Sequence, residues 1–469
     1  MGGIRYDDAR SIVDEASRVI RDLASTVAGG LPRARADLEA LVRIPSVAFE
    51  GFPDAPNRAA AALTAELLGE LLPEVKVVEV AGAPPTVIGK SPAPEGAPTV
   101  LLYAHYDVQP AGPDDAWTTP AFAPELRDGR LHGRGAADDK SGVIMHVAAL
   151  RALGEELTVG ITVVVEGDEE TGRGTFDGYL AAHRDELAAD VIVVADSGNW
   201  QLGEPTLCAS LRGLTELFVE VSALERPAHS GLVGGAAPDA LLALIRMLDA
   251  LTDEHGDPAV AGLARRPWTG MEMPEDALRG TASVLDGVGL VGTGTIAERL
   301  FSRPAITVIG LDAPAVATAA NALVPRARAK VSVRLAPGDD PGRAFGLVRD
   351  HLLAVAPWDV RVALTEGAGT PGFAAASDGP GLQAARRAML AAYGKEAVDV
   401  GSGGSIPLVT SLAATYPEAE IVVWGAQDDG ARIHAGDEGV VIEELGRAIL
   451  AEALLLRELA RGPRVLTAE

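Results

Sequence analysis

The chain is poor in sulfur and in positive charge. Cys208 is the sole cysteine among 469 residues, so one chain can form neither a disulfide nor a cysteine-based structural zinc site. Any metal site must be built from His, Asp and Glu. With 40 Lys and Arg against 66 Asp and Glu, the formal charge is −26, which opposes a phosphate backbone and sets nucleic acid aside as a partner. Hydrophobic runs are short and broken by Gly, Pro or charge, and none approaches the roughly 20 residues of a membrane span. The opening "MGGIRYDDAR" has no apolar signal core, so a cytoplasmic location is expected. No Gly-Lys-Ser/Thr follows the glycine-rich "VGSGGSIPLV", which sets aside a phosphate cradle and a nucleotide-binding α/β module.

What is present is apolar material: 48% hydrophobic content over a length sufficient for two or three domains. The N-terminal stretch is helical in pattern, with Ile12, Ala16, Val19, Ile20 and Leu23 on one face, and "DLEALVRIPSV" continues helically to a break at Pro45. Three apolar runs of strand length follow: "VLLYAH", "ITVVVE" and "VIVVAD". Helical patterns lie between them, including Val143, Ile144, Val147 and Leu150 at helical spacing. Continuous apolar strands alternating with helices predict a largely parallel sheet covered on both faces. From about residue 211 the texture changes to polar/apolar alternation, as in "RARAKVSVRL", where Ala327, Ala329, Val331, Val333 and Leu335 share a face. That is the pattern of a one-sided antiparallel sheet. After about residue 371 the α/β texture returns. The expected fold is therefore α/β: a catalytic domain over 1–210 and 372–469, interrupted by an inserted α+β domain over 211–371.

In an open α/β sheet, ligands bind beyond the carboxyl ends of the strands. Each of the three runs carries its polar residues at that end: His105 and Asp107, then Glu169 and Glu170, then Asp196. "GRGAADDK" adds Asp138 and Asp139 at a helix entry, and "IHAGDEG" adds His434. Taken singly, each has an ordinary reading as a loop histidine, a solvated acid, a turn or a helix cap. Their common position at one sheet edge argues otherwise. Two carboxylates about 4 Å apart repel by ~4 kcal/mol at an effective dielectric of ~20, and the few cations nearby are Arg134, Lys140 and Arg173.

Two divalent cations would balance these charges. Asp138 would bridge them, His105 and Asp196 completing one site, Glu170 and His434 the other. His/Asp/Glu ligation suits zinc, with cobalt or manganese as competitors. Asp107, two places after His105 on an extended strand, lies on the same side and can hold the imidazole. Glu169, beside a ligand and not needed as one, is placed to act as general base. These residues point to a two-metal hydrolase. A non-catalytic metal-stabilised binding protein is the alternative of another class, and the unliganded Glu169 argues against it.

The segments "AHYDVQP", "GRGAADDKSG", "EGDEETG", "VADSGNW", "RPAHSGLVGG", "VSVRLAP", "GSGGSIP" and "IHAGDEG" in this order resemble the dinuclear metallopeptidases that include carnosinase-like dipeptidases, carboxypeptidase G and aminoacylases. The resemblance implies the same ligand set, Glu169 as base, Asp107 as the partner of His105, and a cis peptide after Asp138. It implies that the inserted domain is a lid and dimerisation domain. "HSGLVGG" is most similar to the carnosinase-like form, which implies a dipeptidase acting on short peptides with a free C-terminal carboxylate. In that resemblance His229 reaches across a homodimer to the oxyanion, Arg334 clamps the substrate carboxylate bidentately, and Asn321, Gly404 and Ser405 contact substrate. An N-acyl-amino-acid deacylase or desuccinylase is the rival within the family. Pro227 stands where an acid is usual before "HSG", and "GSGGSIP" lacks a preceding Arg-Glu pair, both in substrate-contacting regions.

Overall fold

The apolar run Val100–Ala104 forms the strand Thr99–His105, buried on both faces, as continuous Val and Leu with no alternation requires. The structure is a computed structural model and describes residues 6–375, 379–404 and 406–460, with side chains from residue 17 onward. Ile12 and Ala16 therefore lie outside the described side chains. The chain divides into two units, one of Met1–Cys208, Ala375–Asp399 and Ser411–Glu469, the other of Ala209–Ala374 and Val400–Thr410.

The first unit is built on a six-stranded sheet in the order Glu74–Val78, Thr86–Ser91, Gly160–Glu166, Thr99–His105, Val191–Val194, Glu420–Val423. Only Thr86–Ser91 runs against the rest; the other pairings between Gly160–Glu166 and Glu420–Val423 are parallel. The carboxyl ends of the three strands expected to carry the site thus lie side by side. Leu102, Ala104, Val163, Val165 and Val193 pack in one core with Leu38, Leu41, Val143, Ile144, Val147 and Leu150 of the covering helices. The helical stretches expected at the N-terminus are one helix, Tyr6–Val42, which stops short of Pro45 because a proline disfavours helical geometry in the residue before it. Among the described residues no helix is long and apolar enough to cross a membrane.

The second unit holds a four-stranded antiparallel sheet in the order Ala305–Asp312, Arg326–Leu335, Gly213–Ser222, Arg361–Thr370. Alternation decides its two faces. Ala327, Ala329, Val331, Val333 and Leu335 are buried with Leu217, Val219 and Val221 against the helices Ala240–Asp249 and Pro341–Ala354. Arg334, on the opposite parity, is half-buried on the other face.

Candidate metal centre

His105 ends its strand, fully buried. Its backbone N–H donates to Asp139 Oδ2 at 3.2 Å, and its Nδ1 meets the main-chain carbonyl of Asp107 at 3.1 Å and Asp107 Oδ1 at 3.4 Å. The Asp107 carboxylate also reaches the next strand's exit, where Oδ1 accepts the N–H of Glu169 at 3.2 Å and Oδ2 that of Glu170 at 3.1 Å. One buried acid thus orients the His105 ring and fixes the turn that carries both glutamates. Gln109 continues the same parity. Its amide donates to Glu170 Oε2 at 2.8 Å and its backbone N–H to Glu170 Oε1 at 3.2 Å.

Two ligand groups result, His105 with Asp138 and Asp196, and Asp138 with Glu170 and His434, the donor atoms of each lying within 4.8 Å of one another. His105 Nε2 faces Asp138 Oδ1 at 3.3 Å, Glu169 Oε2 at 3.9 Å and Asp196 Oδ1 at 4.0 Å, and none of these contacts is a hydrogen bond, so this buried nitrogen has no hydrogen-bond partner. His434 Nε2 lies 3.0 Å from Asp138 Oδ2 and 3.1 Å from Glu170 Oε2. An orphaned buried imidazole nitrogen ringed by carboxylate oxygens is a donor set that fits a divalent cation.

The protonation of the cluster says the same. Burial, and after it Asp138, push Asp196 up to about 7. Burial and Asp196 push Glu169 well above the carboxylate range. Burial would lower His105, but the neighbouring Asp107 and Asp138 outweigh it and raise the imidazole. Asp138 and Glu170 raise His434 to about 10. Asp138, which burial alone would raise, is held well below its usual value by His105 and His434. Burial and mutual repulsion favour the protonated forms of Asp196 and Glu169, and the two raised imidazoles offset that at Asp138. The three candidate cations are engaged elsewhere: Arg134 with Glu438, Arg173 with Asp168, and Lys140 with the carbonyls of Leu41 and Ile44 at 2.9 and 2.7 Å. Divalent ions would take the place of those protons.

A further layer went unread in the sequence. Glu438, fully buried, accepts the N–H groups of Ala137 and Asp138 on Oε1 at 3.0 and 3.1 Å. It therefore holds the loop that presents Asp138; its position four residues after His434 in "HAGDEG" was the available signal. Asp139 does cap the helix Lys140–Leu153 through Gly142 N–H, and the peptide between Asp138 and Asp139 is cis.

The model of Peptidase family M20/M25/M40 matches residues 101–458. The chain belongs to this family. It is 41% identical over 378 residues to a cysteinylglycine-S-conjugate dipeptidase of Corynebacterium striatum, covering 79% of this chain and 83% of that one. It is 26% identical to a beta-Ala-His dipeptidase of Rattus norvegicus over 74% of each. Among solved structures, the dipeptidase Dug1p of Saccharomyces cerevisiae superposes with a TM-score of 0.77 at 20% identity, over 95% of this chain and 99% of that one, which shows a shared fold.

The second unit of this M20/M25/M40 chain carries the remaining expected residues. His229 is exposed, accepts Gly231 N–H on its own Nδ1 at 3.1 Å, and lies opposite Ala322 in a short antiparallel pair. Asn321 is its neighbour there, its carbonyl accepting Ser230 N–H at 3.0 Å. Arg334 lies opposite Leu214 on the half-open face of the sheet. Gly404 is exposed beside Ser402, whose Oγ accepts its N–H at 3.2 Å. Ser405 lies outside the described residues. The structure thus gathers His229 with Asn321, while Arg334 and Gly404 belong to other elements of the same unit.

Proposed function

We propose that this protein is a dinuclear metal-dependent dipeptidase, hydrolysing short peptides that end in a free carboxylate. The observation that carries the reading is Glu169: it stands beside His105 and among the ligands, yet belongs to neither ligand group. His105, Asp138 and Asp196 would hold one ion, and Asp138, Glu170 and His434 the other. Two such ions would supply Lewis acidity toward the amide carbonyl and lower the pKa of water. Glu169 takes the proton from the attacking water and returns it to the departing amine. Asp107 keeps Glu169 in place through its backbone N–H. His229, contributed by a partner copy, stabilises the oxyanion, and Arg334, with Asn321, Gly404 and Ser405, binds the substrate's far end.

Zinc is the ion proposed, on the nitrogen and oxygen donor set, and a cytoplasmic homodimer the assembly. Exposed Val308, Ile309 and Leu311 on the edge strand Ala305–Asp312 support an apolar contact between copies. The 41% identity to a cysteinylglycine-S-conjugate dipeptidase makes S-substituted Cys-Gly dipeptides the substrates to try first. The test is metal analysis of the purified protein, followed by assay on dipeptide and N-acyl-amino-acid panels before and after chelation. Chelator-sensitive dipeptide hydrolysis is expected, and a strong preference for the N-acyl panel overturns the reading.

A further inference from the structure

Arg212 lies between the end of the strand Thr206–Leu211 and the start of Gly213–Ser222, and it is 8% exposed. Its guanidinium donates only to carbonyls, Nε to Gly403 at 3.3 Å and Nη1 to Arg299 at 3.2 Å, while its backbone N–H donates to Ser402 at 3.2 Å. Gly403 is packed so closely that a Cβ there would come within 3.0 Å of Nη2. The charge that acts on Arg212 is another cation. Arg334 stands across the strand pair opposite Leu214, two residues along from Arg212, and burial together with that like charge pulls Arg212 down to about 10. Among the described residues neither arginine is in an ion pair. A buried cation in the field of a second cation is unfavourable unless an anion compensates them.

The position of this pair narrows what the anion is. Arg212 touches the Gly403 segment on one side and senses Arg334 on the other, so it stands between two of the groups proposed above to bind the substrate's far end. A carboxylate has two oxygens and about four acceptor sites, enough for donors from both guanidinium groups. We infer that Arg212 is a second carboxylate-binding residue beside Arg334, which restricts the enzyme to peptides with an anionic C-terminus. The inference rests on the dipeptidase reading.

The experiment compares one good dipeptide with its C-terminal amide, on the metal-loaded full chain. Arg212→Gln keeps donors for the Gly403 and Arg299 carbonyls and removes the charge. The ratio of kcat/KM for acid over amide should fall at least tenfold in this variant, carried by KM for the acid, and Arg212→Lys should restore part of it. A wild-type ratio in Arg212→Gln overturns the inference, as does an equal loss on both substrates, the mark of a merely structural role. Should the glutamine variant not fold, Arg212→Lys decides: a selective rise in KM for the acid supports the inference, while an equal change or none overturns it. Failure of the underlying reading looks different, because wild type would then hydrolyse neither compound.

Discussion

The two ligand groups share Asp138 but are built by different means. His105 and Asp196 follow adjacent parallel strands, and His105 is 0% exposed, so folding of the core itself brings them together. His434 is reached only after a loop beyond its strand, its side chain is 53% exposed, and Arg432, His434 and Asp437 all adopt left-handed backbone with φ of 54°, 61° and 56°. Such non-glycine residues cost on the order of 1 kcal/mol each. Anchors offset that cost: the Asp437 carboxylate accepts from Thr118 N and Oγ1 at 2.9 and 2.7 Å and from Arg127 at 3.2 Å. One half of the centre is set by the sheet, the other by a fastened loop. The buried half should therefore hold its ion firmly and the exposed half exchange it.

Glu169 and Glu170 give the largest test, since of these two neighbours Glu170 belongs to the exposed group and Glu169 to neither. Glu169→Gln should lower kcat about 10²- to 10⁴-fold while two ions per chain remain. Glu170→Gln should remove one ion and leave the buried site loaded. Mass spectrometry of metal content beside steady-state kinetics reads both, and a fully active Glu169→Gln enzyme would sink the role given to it.

The ligands were legible because a strand end is local: an apolar run closing in His or Asp can be read from its own residues. The same parity that linked His105 to Asp107 extends to Gln109 and could have found it. What could not be read is the distant contact that each supporting acid makes. Asp107 meets N–H groups 62 and 63 residues away, and Glu438 meets the Asp138 loop across 300 residues. Nor could the sequence say that Arg134, Lys140 and Arg173 are spent elsewhere, which is what leaves the cluster in need of cations. Parallel pairing was predictable from unbroken apolar strands; the antiparallel strand Thr86–Ser91, whose TVIGKS mixes polar and apolar residues, carries no such pattern.

Gln109 offers a smaller, one-sided perturbation, because its contacts go to Glu170 and not to the buried group. Gln109→Val should weaken the exposed site about 10- to 100-fold, as loss of a ligand's supporting hydrogen bond does elsewhere. The buried site should be unmoved. Stepwise chelation of wild type, followed by metal content, should release the exposed ion first; simultaneous release from both sites would erase the distinction.

Protonation separates the halves by pH. In the metal-free chain Asp196 titrates at about 7 against its usual 3.8, so between roughly pH 4 and 7 the folded state keeps a proton that the unfolded state has lost. Stability then falls as pH rises through that window. The raised His434, about 10 against 6.5, extends the fall toward alkaline pH. Bound ions need the deprotonated ligands, so the gap in Tm between metal-loaded and chelated protein should widen from about pH 5 to about pH 8. In the chelated protein Asp196→Asn should flatten the acid part of the fall in stability and leave the alkaline part, and a gap independent of pH contradicts the assignment.

The smallest effect should come from the fastening of the loop. Asp437→Asn keeps the shape of the side chain, retains one acceptor oxygen and loses the charge that Arg127 meets. At a partly exposed position such a change is worth about 1 kcal/mol, or roughly fivefold in the population of the fastened loop. His434 would still reach Glu170 and Asp138, but from a loop no longer fully held in its left-handed geometry. Faster exchange of the exposed ion should follow, about fivefold, with no change in the affinity of the buried one or in kcat at saturating metal. If instead both ions loosen together, the loop and the sheet form one cooperative unit and the contrast between the halves is one of exposure alone.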